Sequence, residues 1–310
     1  MTSLGRPPRE LPHDHRQPIR LRLDATLKRI FFSSNQRLRN GWWILIFIAL
    51  MLASRFIYTP VSRALQDLGT PKAWLEPLSF GFLLLVTWIC VRLRNEPLSS
   101  IGFVLDRRWA RELGIGYLFG VASALLAVLM IWTVSGVRLE LDPGRSLTVL
   151  AYGLYLFLFV ALFEETLFRG FVFQRLASGA GVWVAQITMG LLFATGHWGN
   201  PEMQGTTMVW ATIELFLGAV LLGLAYLRTR SLALPIGIHI GWNWAQGHLL
   251  GFGVSGFEHS GWFRPLLQDK PEWVTGGSFG PEASVFAVIV DVLSIVLLWK
   301  WKGSAPQKAV

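Results

Sequence analysis

Apolar residues in this chain come in long runs separated by short polar stretches. Eight runs, at about 41–59, 77–94, 113–136, 147–170, 181–198, 208–227, 232–251 and 284–301, carry few charges. A helix needs about 20 residues to cross roughly 30 Å of hydrocarbon, and each run is close to that length. The pattern predicts an all-α polytopic membrane bundle of about eight transmembrane helices. Pro235 falls in the first turn of its expected helix, where proline is tolerated. No self-similar period is evident, so nothing in the pattern suggests a repeat-built transporter.

Residues 1–40 break from this pattern. They are polar and basic and lack the short apolar core of a cleavable signal. The proline-rich GRPPRELPHDHRQP is expected to be disordered. The next segment, IRLRLDATLKRIFF, mixes basic and apolar residues as a helix lying on an anionic cytoplasmic leaflet would. The expected organisation is a basic cytoplasmic segment over 1–40, a transmembrane domain over 41–302 and a cytoplasmic tail over 303–310.

Composition supports the membrane reading. Charged residues make up 15% of the chain, where a soluble domain carries about a quarter. Fifteen Trp and twenty-one Phe suit a lipid-facing surface with aromatic belts. The single cysteine, Cys90, excludes an intramolecular disulfide and any multi-thiolate zinc site. A net charge of +9 could suggest nucleic acid, but its distribution argues against that partner. With the amino terminus inside, 21 of the 28 Lys and Arg fall on inner segments, as the positive-inside rule requires. Both termini are therefore expected in the cytoplasm, and the bilayer itself is the first partner.

Charged groups at the bilayer centre cost about 2.5–3.5 kcal/mol each on insertion scales, so those present are functional candidates. The ionisable and strongly polar candidates of the runs are Glu164, Glu165 and Arg169 in the fourth run, His197 ending the fifth, Glu214 in the sixth, His239, Asn243 and His248 in the seventh, and Asp291 in the eighth. Glu165 and Arg169 stand four apart and share a helix face. Glu164 is rotated about 100° away and lacks such a partner, which suits a general base. His239 and Asn243 share a face, as do Phe193 and His197. Glu214 and Asp291 have no partner at helical spacing, and His248, nine residues past His239, should point away; these three are left outside the site. Simple alternation puts His239 in the inner half of its helix and His197 near the outer end of its own, so tilt must bring them level. The two carboxylates, two imidazoles, amide and guanidinium suit water activation and oxyanion stabilisation. Two His and a Glu also form a common zinc set. A divalent metal such as Zn2+, if present, would take Glu164, His197 and His239, although HExxH is absent.

The segments EETLFR, FATGH and HIGWN match EExxxR, FxxxH and HxxxN in that order. In this the chain resembles the CPBP (ABI) family of intramembrane proteases, which includes the type II CAAX prenyl endopeptidases and bacteriocin-processing or immunity relatives. The resemblance covers about 145–250. It implies a glutamate-dependent endopeptidase of the bacterial inner (plasma) membrane acting on a peptide or lipidated protein, and leaves the need for a metal open. By position, Glu164 and His197 would polarise the attacking water. His239 and Asn243 would stabilise the oxyanion, and Glu165 and Arg169 would organise a cavity walled by Phe193. The alternatives are an ion- or proton-coupled transporter and a non-catalytic immunity or adaptor protein.

Overall fold

In a computed structural model of the chain, residues 28–135, 137–268 and 270–304 are described. Most of the segment expected to lie on the membrane surface is outside these residues, as is most of the tail. The chain builds α1 (Asn40–Asp67), α2 (Glu76–Leu93), α3 (Arg107–Ser135), α4 (Leu147–Arg169), α5 (Phe171–Ala180), α6 (Val182–Gly196), α7 (Gly205–Thr229), α8 (Ala233–Trp244), the single turn α9 (Glu272–Thr275) and α10 (Val285–Lys300). One small antiparallel pair, β1 (Arg138–Leu141) with β2 (Phe263–Leu266), ties the α3–α4 connection to the segment between α8 and α10.

All eight expected runs are helical. Five helices are long and apolar enough to cross a membrane: α1, α2 with the turn that leads into it, α3, α4 continued by α5, and α7. The other three, α6, α8 and α10, are shorter, with 15, 12 and 16 residues. For α8 the reason is its surroundings. Every residue from Ala233 to Gly241 is buried, so this helix is solvated by protein and need not match a lipid thickness. The sequence pattern did not anticipate α5, which follows α4 directly after Gly170.

The lipid-facing and protein-facing sides differ as membrane solvation requires. Leu52, Phe56 and Ile57 on α1 and Leu118 and Leu129 on α3 are exposed. Inside, α1, α2 and α5 close around Phe47, Leu83, Val91 and Phe171, with Cys90 fully buried among them. The closest helix crossing is that of α3 with α8. Gly116 and Gly120 meet Gly237 and Gly241 so closely that a Cβ on any of the four would run into backbone of the other helix. Small residues spaced four apart permit this approach, the usual device where no hydrophobic effect drives helices together.

Candidate functional site

Ser146 caps α4 by accepting the Val149 N–H at 3.2 Å, and the helix then runs unbroken to Arg169. Its last two turns carry the polar group. Glu165 and Arg169 are both essentially inaccessible, at 0% and 1% exposure. The Arg169 guanidinium donates to Glu165 Oε1 at 3.0 Å and to the Ala219 carbonyl of α7 at 2.9 Å. The rings of Phe168 and Phe193 flank it. Every hydrogen bond of this cation is thus to protein, and it ties α4 to α7.

The α3–α8 crossing aims His239. Gly237 and Gly241 face α3, and a residue two positions from either is turned by about 200°. His239 therefore faces α4, where its Nδ1 lies 2.9 Å from Glu165 Oε1. A carboxylate can only accept, so Nδ1 carries the proton in that bond. Nε2 then faces Glu164, whose Oε2 is 3.8 Å away. Glu164 has no guanidinium partner on its own helix, but the structure places this imidazole beside it. Glu165 Oε2 has no hydrogen-bond partner.

His197 caps the end of α6. Its Nδ1 lies 2.7 Å from the Phe193 carbonyl, which again assigns the proton to Nδ1 and leaves Nε2 free. Glu164, Phe193, His197, His239 and Asn243 all line one cavity of about 1150 Å³. Glu165 and Arg169 stand behind its wall. Placed at opposite levels by simple alternation, His197 and His239 share this space.

The cavity holds more than the sequence reading assigned to it. Glu214 and Asp291, set aside for want of a helical partner, both line it, because their neighbours come from other helices. His248 lines it too, contrary to the expected rotation. The turn Ala245–Leu249 is a π-helix, which takes more residues per turn than the 3.6 assumed and so shifts the side chains that follow. The His248 ring packs against Phe157 and His259 at centroid distances of 5.4 and 5.0 Å.

The segment between α8 and α10, which joins the last two apolar runs, supplies Ser255, His259 and Glu282. Glu282 accepts the Ser255 N–H at 2.5 Å and its hydroxyl at 3.1 Å, while Asn200 donates to the Ser255 carbonyl at 2.9 Å. Burial pushes the Glu282 carboxyl above the usual carboxylate range, and the Ser255 bonds and the nearby His197 and His239 work against that. Burial lowers His259 to about 4. No periodic signal marks these residues, since loops carry none.

Among the described residues, no three His, Cys, Asp or Glu side chains are grouped to hold a metal ion. Glu164, His197 and His239 line one cavity without forming such a set.

A helical bundle with five helices long and apolar enough to cross a bilayer, enclosing a cavity lined by acids, imidazoles and an amide, defines an integral membrane protein. Residues 146–245, from the start of α4 to just past the end of α8, match the model of the type II CAAX prenyl endopeptidase Rce1-like family. Comparison with curated proteins and with solved structures gave no match.

Proposed function

We propose that the chain is an intramembrane endopeptidase in which Glu164 and His197 activate water and His239 and Asn243 stabilise the oxyanion. The observation that supports this reading is that all four line one cavity and fall within the segment that matches the protease family. Glu164 borders the cavity without a hydrogen-bonded cation, so it is free to take a proton from water. His197, with Nδ1 held by the Phe193 carbonyl, offers Nε2 to the same water. As the peptide carbonyl becomes tetrahedral, the Asn243 amide can donate to the developing charge. The His239 imidazole can do so when Nε2 is protonated. The Glu165 carboxylate, by holding Nδ1, turns Nε2 toward the cavity. Arg169 fixes Glu165 and so fixes the imidazole, a positioning role.

The substrate is a peptide bond near the membrane surface, in a lipidated or amphipathic chain. The test is cleavage of a prenylated and a non-prenylated amphipathic reporter by the purified protein in nanodiscs, with Glu164→Ala alongside. Equal cleavage by the parent and the variant overturns the assignment. The transporter alternative draws on the same intramembrane acids, and proteoliposome uptake tests it independently.

A further inference from the structure

The cavity carries a second group of acids that the proposed hydrolysis does not use. Glu214 on α7, Glu282 just before α10 and Asp291 on α10 all line it, and only 5%, 4% and 3% of each is exposed. Asp291 Oδ2 faces Gly218, where a Cβ would lie 3.5 Å away, and Gly218 is one helical turn from Glu214. That oxygen is buried and has no hydrogen-bond partner. None of the three acids takes part in an ion pair among the described residues. Glu214 and Asp291 stand on the packed helices α7 and α10, and Glu282 lies in the turn just before α10. Only Glu282 also faces groups that can be cationic, His197 and His239.

Burying a carboxylate without a counter-charge is costly. Three acids lining one cavity without an ion pair among the described residues, one of them with an orphaned oxygen, leave room for a further cation. We propose that this recess receives a basic side chain of the peptide substrate, an ammonium or guanidinium, close to the bond that is cut. The acids are not grouped to chelate a bare ion. They are near enough to act on one another, which suits an organic cation with several N–H donors. The recess adjoins the hydrolytic residues through Glu282, so a side chain seated there would fix the peptide backbone beside Glu164. Lys72, from the α1–α2 connection, is the one Lys or Arg among the residues that line the cavity.

This proposal rests on the endopeptidase reading, and the experiment separates the two. Three fluorescent amphipathic peptides that differ at one position, Lys, norleucine or Glu, are offered to the full-length protein in nanodiscs. Cleavage is followed as kcat/KM, and binding is followed by anisotropy with Glu164→Gln protein. The Lys peptide is expected to be cut and bound at least tenfold better than the norleucine peptide, and the Glu peptide least well. In Asp291→Asn and Glu214→Gln proteins, the Lys-to-norleucine ratio is expected to fall toward one. Cleavage of all three at similar rates overturns the recess and leaves the endopeptidase standing. Lys-selective binding that needs Asp291, with no cleavage of any peptide, supports the recess and removes the hydrolysis. The peptide comparison on the parent protein decides the matter even if a variant fails to fold.

Discussion

Glu164 and Glu165 are neighbours in sequence with opposite surroundings. Glu165 is sealed between a guanidinium and an imidazole, whereas Glu164 borders the cavity with an imidazole 3.8 Å off. Glu164→Ala should lower kcat/KM at least 100-fold, within the range that general bases contribute, and leave the melting temperature near that of the parent. Arg169→Met should act first on stability. It leaves Glu165 buried beside His239 alone, and a loss of about 3–5 kcal/mol is expected, read as a fall in melting temperature in detergent. The four-residue spacing made the Glu165–Arg169 bond legible in the sequence. Helical arithmetic failed at His248, because the π-turn alters the rotation it assumes. It could not reach Glu214, Glu282 or Asp291, whose neighbours lie on other elements. Glu282 also sits in a Gly- and Pro-rich stretch with no pattern to mark it.

At the scale of elements, the positions of the eight apolar runs were readable because lipid solvation demands them. Their lengths were not, since a helix surrounded by protein escapes that demand. The α3–α8 crossing decides where His239 points. Gly241→Ala would push a methyl group into the Tyr117 carbonyl, and Gly120→Ala would do the same at Ile238. Overpacking of this kind costs about 1–3 kcal/mol. Each variant should melt lower than the parent and lose activity together with the shift of α8. Gly114, with nothing near its Cβ position, should tolerate alanine and serves as the control.

For the whole molecule, the segment after α8 is held in place by strand pairing, by the Ser255–Glu282 bonds and by the packing of His259 on His248. Burial lowers His259 to about 4 from an ordinary value of 6.5. Above pH 6.5 both folded and unfolded chains keep it neutral, and its contribution is fully present. As the pH falls toward 4, the unfolded chain takes up a proton that the folded one resists, so stability declines. A loss on the order of 1–3 kcal/mol is expected across that window, with His259→Gln flattening the profile of melting temperature against pH. Orientation is testable at the same scale. The excess of basic residues predicts that a cysteine replacing Lys302 is labelled only from the cytoplasmic side, and one replacing Arg145 only from the other.

Such labelling is made simple by Cys90, which is 0% exposed among the side chains of α1, α2 and α5. Because the only native thiol is sealed from aqueous maleimides, the parent chain is its own unlabelled blank. Probes or cross-linkers can be installed one position at a time without first altering the native sequence.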